Sequence, residues 1–155
     1  MSKTIGDKLK ISFRVALIFL LVSLPYVYSL TDKFAPLRTT QNGCPTIYGR
    51  LLHGLLFFLI NLIMMKLYNS KEECKQKSFG TMIKYAFYGT LVTYVLSDPG
   101  IYKLTNTFAN KYNITTSNNG CPTLYGVASH SLVYVAILTT MMYFPKDTKK
   151  ICPEK

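Results

Sequence analysis

The chain contains NGCPTIYG at residues 42–49 and NGCPTLYG at residues 119–126, and after three further residues each copy reaches a histidine. The two octets lie 77 positions apart, and each leads into a strongly apolar run that ends in a pair of methionines. Asn-Gly is typical of tight turns, and proline is favoured at the first position of a helix. The octet therefore predicts a turn followed at once by a helix, with Cys44 and Cys121 as the N-cap residues.

The internal similarity extends upstream of the octet. Residues 10–34 align without a gap on 84–108 with nine identities, and residues 42–65 align on 119–142 with 12 identities. The second copy carries three extra residues in the polar stretch before its octet, which fits a loop, where insertions are tolerated. The period exceeds the roughly 20 to 50 residues of solenoid repeats. The sequence therefore predicts one duplicated helical hairpin.

The composition favours a membrane protein. Hydrophobic residues make up 49% of the 155-residue chain, yet it carries 18 Lys and Arg against seven Asp and Glu. These properties conflict in a soluble protein, but they agree where apolar spans alternate with basic flanks. Nucleic-acid binding is the usual alternative for a net charge of +11. Because the basic residues are dispersed over terminal and connecting segments, we expect no direct nucleic-acid partner.

Four apolar stretches are long enough to cross about 30 Å of hydrocarbon as helices. The first exceeds the apolar region of a signal peptide, and its second copy lies in mid-chain, so a retained span is favoured over a cleaved signal. Pro25 and Pro99 each remove a helix hydrogen bond and should kink or end their helices near the far interface. The third stretch is weaker because it contains Thr, Tyr and Gly. The stretches are residues 11–30, 45–67, 84–104 and 122–144.

We therefore expect an all-α membrane protein whose four transmembrane helices form two tandem parallel-repeat helical hairpins. Thirteen Lys and Arg fall on the side of the termini and the central connector, and five fall on the octet side. The positive-inside rule then predicts that both termini are cytosolic and both octets lumenal or external. The expected boundaries within a single membrane domain, 1–155, are repeat one at about 10–68, a linker at about 69–83, repeat two at about 84–144 and a basic tail at 145–155.

Several residues shared by the two copies predict a helix-packing stripe. On a helical wheel at about 100° per residue, the shared positions of each octet helix fall in one narrow sector. The glycines would permit close helix approach, as small residues do in lipid. The predicted stripe comprises Gly49, His53, Ile60 and Met64, with Gly126, His130, Ile137 and Met141 in the second copy.

His53 and His130 are the candidate functional side chains, because intramembrane ionisable residues are functional candidates by default. One interpretation is a pair of metal or haem ligands across the axis between the copies. The other is a neutral imidazole hydrogen-bonded to a neighbouring helix. Two histidines without an acidic partner are a thin ligand set, so we expect neither a metal nor a cofactor.

The remaining candidate positions lie near the predicted membrane surfaces. Cys44 and Cys121 can form a disulfide if the octet side is oxidising, or they can be two capping thiols. Asn113 begins the glycosylation sequon Asn-Ile-Thr. Arg14 fits an interfacial anchor whose side chain extends to the headgroups. The sequence contains no HExxH motif, no Gly-rich phosphate loop and few acidic residues, so we do not expect an enzyme.

The doubled octet with its histidine resembles the small multi-pass membrane proteins of large icosahedral DNA viruses, in which Asn-Gly-Cys-Pro-Thr leads into an apolar helix. The matching positions are Asn42 to Thr46 with His53, and Asn119 to Thr123 with His130.

The resemblance implies a structural integral membrane protein of the virion internal membrane, a minor capsid protein that anchors or bridges the bilayer and the shell. Its partners would be the lipid bilayer, capsid proteins or other virion membrane proteins, and further copies of itself. The alternative is a small ion channel, transporter or redox carrier that uses His53 and His130.

Overall fold

A computed structural model describes residues 4–69 and 78–143 of the chain. This part of the chain is mostly helical, with six α-helices and two very short antiparallel strand pairs. The elements are α1 (Ile5–Val22), α2 (Pro25–Asp32), β1 (Thr40–Gln41), β2 (Cys44–Pro45), α3 (Ile47–Asn69), α4 (Phe79–Leu96), α5 (Pro99–Ala109), β3 (Ser117–Asn118), β4 (Cys121–Pro122) and α6 (Leu124–Met141). The same order of elements therefore occurs before and after residues 70–77.

Proline divides the first and third predicted spans into two helices each. Pro25 and Pro99 begin α2 and α5, where their missing amide hydrogens are not needed. The bend between α1 and α2 is 51°. The prediction that these prolines kink or end their helices is confirmed. The chain then continues as a separate short helix, which the sequence analysis did not anticipate.

Side-chain contacts fix the directions of the four long helices. The Ser12 and Thr139 hydroxyls bond to each other, and the Lys8 ammonium lies 3.3 Å from the centre of the Tyr143 ring, so α1 and α6 are antiparallel. Corresponding contacts make α3 antiparallel to α1 and α4 antiparallel to α6. They are His53–Val22, Arg14–Tyr68, Tyr134–Gly89 and His130–Leu96.

The bundle therefore has two distinct ends. The octet end carries both octets, and the basic end carries the starts of α1 and α4 with the ends of α3 and α6. The most extensive helix packing is between α1 and α6 and between α3 and α4. Each half thus buries its helices mainly against the other half. The core lies between the helices and contains Ala16, Phe19, Val22, Phe57, Leu96, Tyr134 and Leu138.

Among the described residues, two helices are long and apolar enough to cross a membrane, Ile47–Tyr68 and Leu124–Met141. The bent pair α1 and α2 makes a third crossing if it counts as one broken span. Four spans were predicted, so the described residues support two or three by length and composition. The shortfall is α4, whose Lys84 and interior threonines lower its apolar character.

Several predicted boundaries differ from the helix ends. α3 begins at Ile47 rather than residue 45, and α4 begins at Phe79 within the predicted linker. α6 occupies Leu124–Met141 of the predicted 122–144. The basic tail at 145–155 and most of the linker lie outside the described residues.

Candidate functional site

The Asn-Gly pair that begins each octet forms the turn of a tight β-hairpin. Asn42 and Gly43 have φ angles of 52° and 79°, and Asn119 and Gly120 have φ angles of 54° and 92°. A two-residue turn with both angles positive is type I′, which favours Asn-Gly because these residues tolerate left-handed backbone. The turns pair β1 with β2 and β3 with β4. Asn-Gly therefore closes a hairpin, and its strands were missed because each is only two residues long.

The helix caps lie two residues after the cysteines. The Thr46 hydroxyl accepts from the Gly49 amide at 3.0 Å, and the Thr123 hydroxyl accepts from the Gly126 amide at 3.1 Å. The prediction that Cys44 and Cys121 are N-cap residues is therefore wrong. The Cys-Pro pairs belong to the hairpins, whereas threonine supplies the side-chain oxygen that a helix N-terminus requires.

A disulfide joins the two hairpins. Cys44 and Cys121 are bonded through their sulfurs, and their Cα atoms lie 4.7 Å apart. This agrees with the disulfide that the sequence analysis considered, rather than with two capping thiols. Because the bonded residues are 77 positions apart, the bond ties the first half of the chain to the second.

The octet glycines allow the hairpins to pack directly on the helices. A Cβ at Gly49 would lie 2.9 Å from the carbonyl carbon of Thr39, and a Cβ at Gly126 would lie 3.0 Å from that of Thr116. The carbonyl oxygens would be closer still. The Thr39 oxygen also accepts from the Thr46 amide at 2.9 Å. Glycine is therefore required where the hairpin backbone meets the helix.

Equivalent polar side chains on the short helices hold the start of each hairpin. A carboxylate oxygen of Asp32 accepts from the amides of Thr39 and Thr40. The side-chain oxygen of Asn106 accepts from the amides of Thr116 and Ser117 at 2.8 and 3.2 Å. Asp32 and Asn106 differ in charge but occupy corresponding positions. Their shared role is to order the loop that leads into each octet.

Each histidine is buried beneath its own hairpin at a helix break. His53 Nδ1 lies 2.7 Å from the carbonyl oxygen of Val22, and His130 Nδ1 lies 2.8 Å from that of Leu96. A carbonyl only accepts, so Nδ1 carries the proton in both rings. These carbonyls end α1 and α4, where the chain bends and the helix no longer supplies a donor. The histidines therefore satisfy backbone groups that the bends expose.

The second nitrogen and the ring face of each imidazole also contact the protein. His53 Nε2 lies 2.8 Å from the hydroxyl of Thr31, and the ring stacks on Tyr28 with centroids 3.6 Å apart. The second copy repeats this with Thr105 at 3.0 Å and Tyr102 at 4.0 Å from His130. With Nδ1 protonated, Nε2 of a neutral ring accepts from the threonine. The interpretation of a neutral imidazole bonded to a neighbouring helix agrees with this arrangement.

The geometry does not favour the metal or haem interpretation. Both nitrogens of each histidine are within hydrogen-bond distance of protein atoms, so neither offers a free lone pair to a ligand. Within residues 4–69 and 78–143, no group of three or more His, Cys, Asp or Glu side chains is placed to hold a metal ion.

Only part of the predicted packing stripe is buried. Gly49, His53, Gly126 and His130 are buried, and Ile137 is partly buried. However, Ile60, Met64 and Met141 are exposed on the surface of the bundle. The prediction is wrong for these three, because the buried positions advance in steps of four residues and the contact face therefore drifts around the helix. On α3 the buried face continues through Phe57 and Asn61.

An ion pair between described residues links the two halves and has no counterpart at the corresponding positions. Arg50 Nη1 lies 2.6 Å from a carboxylate oxygen of Asp98, and Arg50 is only 8% exposed. The corresponding positions in the other half hold Val127 and Leu24. Asp98 also caps α5 by accepting from the Gly100 amide. The pair therefore fixes α3 against the break between α4 and α5.

The last two predicted positions are both exposed. Arg14 contacts Tyr68 near the basic end, through a hydrogen bond to the phenol oxygen and with its guanidinium carbon 4.8 Å from the ring centre. Asn113 has a φ of 57° at the octet end, directly after a short 3₁₀ turn. These placements are compatible with an interfacial anchor and an accessible sequon, which stay predictions.

Comparison with protein-family models, curated proteins and solved structures finds no match for this chain. The resemblance to viral membrane proteins therefore rests on the octet and its histidine alone.

Sequence reasoning missed the residues that hold the histidines. Tyr28 and Thr31, with Tyr102 and Thr105, were identical in the internal alignment. That identity was the available signal. The sequence places these residues in a span, because periodicity alone does not show that a helix break brings them against His53 and His130.

Proposed function

We propose that the chain is a structural integral membrane protein of a viral particle, which anchors in the internal bilayer and bridges it to the capsid shell. The observation that carries the proposal is the octet end: two disulfide-linked hairpins stand on an apolar bundle and are rigidly tied to it. Such an arrangement suits a fixed contact surface better than a moving or catalytic part.

The proposed membrane topology has four crossings in two tandem copies, with both hairpins on one face. Support comes from the antiparallel order of the long helices and from their apolar outer surface, since large apolar side chains are exposed along all four. Such a surface is unfavourable in water and suits lipid. The orientation with cytosolic termini rests on the basic flanks. Of the thirteen basic residues on that side, eight lie outside the described part: Lys3, Lys71, Lys75, Lys77, Lys146, Lys149, Lys150 and Lys155.

The short helices fit a location at the membrane interface. On α2 and the turn after it, Tyr26, Leu30 and Phe34 are exposed at a spacing of four residues. The opposite face of the same segment carries Tyr28 and Thr31, which contact the buried histidine. α5 and the 3₁₀ turn after it have a similar exposed series of Leu104, Phe108 and Tyr112. An interfacial helix buries its apolar face at the headgroup boundary, so these faces would anchor the octet end.

The contact with the shell is assigned to the exposed hairpin strands. Gln41 and Asn118 are exposed and lie opposite the two cysteines in the strand pairs. Because the hairpins are tied by the disulfide, they would present these residues in a fixed geometry. The partners of this surface are capsid proteins or other virion membrane proteins.

A charge substitution at each end of the bundle tests the proposal. Gln41→Arg combined with Asn118→Arg should leave membrane insertion intact but reduce incorporation into purified particles, measured by quantitative mass spectrometry of virions and of infected-cell membranes. Gly80→Arg, at the basic end where an added Cβ meets nothing within 4 Å, is the matched control and should incorporate normally. Normal incorporation of the double variant would contradict bridging by the hairpins.

No observation on the described residues specifically favours the alternative of a channel, transporter or redox carrier. His53 and His130 are engaged with carbonyl and hydroxyl groups of the protein. Their role in the bundle is therefore accounted for without a transported ion or a redox centre.

A further inference from the structure

An open groove of about 380 Å³ lies on the outside of the bundle between α1 and α6. Its walls are apolar and are formed by Leu9, Phe13 and Val135. Two cations, Lys10 and Arg14, complete the lining. The groove is therefore apolar inside and lies beside two positive charges.

The contacts between α1 and α6 show where the groove lies along the bundle. Ser12 is level with Thr139, and Lys8 is level with Tyr143. Lys10 is therefore level with the last turn of α6, which ends at Met141. Lys10 is at the height where α6 leaves the proposed hydrocarbon region. The Cα atom of Arg14 lies about one turn deeper, and Val135 lies one to two turns deeper than Lys10.

The two cations are neighbours on α1. Lys10 and Arg14 are four residues apart on α1, so their side chains project from the same helix face. The bond to Tyr68 holds Arg14 towards the basic end. Lys10 has no ion pair or side-chain hydrogen bond among the described residues. Its ammonium is available to a ligand.

We propose that this groove binds an anionic phospholipid. Lys10 and Arg14 contact the phosphate, and one acyl chain lies along Leu9, Phe13 and Val135. The charge complementarity argues for an anionic headgroup, because basic residues at a membrane surface attract anionic lipid. The proposal rests on the membrane location proposed above but not on contact with a shell.

The internal alignment offers a natural comparison within the same chain. The positions that correspond to the groove in the other half are Ile83, Lys84, Phe87, Tyr88 and Phe58. Tyr88 replaces the arginine, and the larger Phe58 replaces Val135. The corresponding site thus lacks one cation and part of the space, so we expect one tight lipid per chain.

Native mass spectrometry of the full chain, purified in detergent with equal amounts of phosphatidylglycerol and phosphatidylcholine, tests the proposal. The wild type should retain one phosphatidylglycerol in preference to phosphatidylcholine. Lys10→Ala with Arg14→Ala should weaken phosphatidylglycerol binding by roughly fivefold for each cation removed, about 1 kcal/mol each. Lys84→Ala removes the corresponding lysine and should leave the preference unchanged.

Two further variants distinguish the effect of charge on lipid binding from the effects of groove volume and of misfolding. Val135→Trp fills the groove and should weaken retention of both lipids, whereas Arg14→Lys keeps the charge and should keep the preference. Equal retention of the two lipids by the wild type overturns the proposal, as does an unchanged preference in the double variant or an equal loss in Lys84→Ala. Incorporation into phosphatidylcholine nanodiscs separately tests the membrane location, so a chain that incorporates but shows no preference refutes the groove alone.

Discussion

Substitution of Gly49 by alanine tests whether the hairpin needs direct backbone contact with α3. The new Cβ would lie 2.9 Å from the carbonyl carbon of Thr39 and closer still to its oxygen. Ordinary van der Waals contact requires 3.4 Å or more, so the hairpin would have to move away from the helix. That movement also weakens the bond from the Thr46 amide to the same carbonyl oxygen.

The expected loss follows from two opposing terms. Overpacking a closely packed contact costs about 1–3 kcal/mol, whereas replacing glycine by alanine in a helix contributes about 0.5–1 kcal/mol. We therefore expect Gly49→Ala to lower the free energy of unfolding by about 1–2 kcal/mol. Gly54→Ala in the same helix is the control. Its Cβ would meet only the Thr90 methyl group at 3.7 Å, so it should be neutral or slightly stabilising.

The assay is unfolding in mixed micelles with increasing SDS, followed by circular dichroism for both variants and the wild type. Gly126→Ala should behave like Gly49→Ala, because its Cβ would meet the Thr116 carbonyl in the same way. If Gly49→Ala proved as stable as Gly54→Ala, the glycine would not be required for close approach, and the structural explanation of the octet would be wrong.

Three further substitutions test the other supports of the octet end by the same unfolding measurement. Cys44→Ser removes a cross-link across 77 residues and should cost about 4 kcal/mol by loop entropy; equal stability of the wild type with and without reductant would argue against the bond. His53→Ala leaves a buried carbonyl without its donor and opens a cavity, so it should cost about 2–4 kcal/mol, and a cost below that of an exposed substitution would refute this role. Asp98→Asn leaves Arg50 without its charge partner and should cost about 1–3 kcal/mol, whereas Asp32→Asn, which installs the residue found in the other half, should change stability much less.

The duplicated octet allowed a good part of the fold to be predicted. The turn at Asn-Gly, the breaks at Pro25 and Pro99 and the helical nature of the chain follow from local backbone chemistry, and the structure agrees with each. The caps were misplaced because Pro45 is compatible both with a first helical turn and with the end of a short strand. The strand pairing of Pro45 with Thr40 and the hydrogen bond from Gly49 to Thr46 distinguish the two.

The candidate site was harder to predict because its contacts cross helix breaks. Identity between the copies marked His53 and His130, but it also marked Met64 and Met141, which are exposed. Conversely, Phe57 is fully buried although the second copy has tyrosine there. Identity between the copies indicates that two positions share a constraint, but it does not distinguish a residue buried between helices from an exposed residue.

The most direct test is to determine on which side of the membrane five points of the chain lie. Epitope tags at either terminus, in the 70–77 connector, or in the loops near residues 36 and 114 can be probed with protease in sealed vesicles. The account predicts that the termini and connector are accessible from one side and both loops from the other. A connector tag on the side opposite to the N-terminus, or the two loops on different sides, would contradict it.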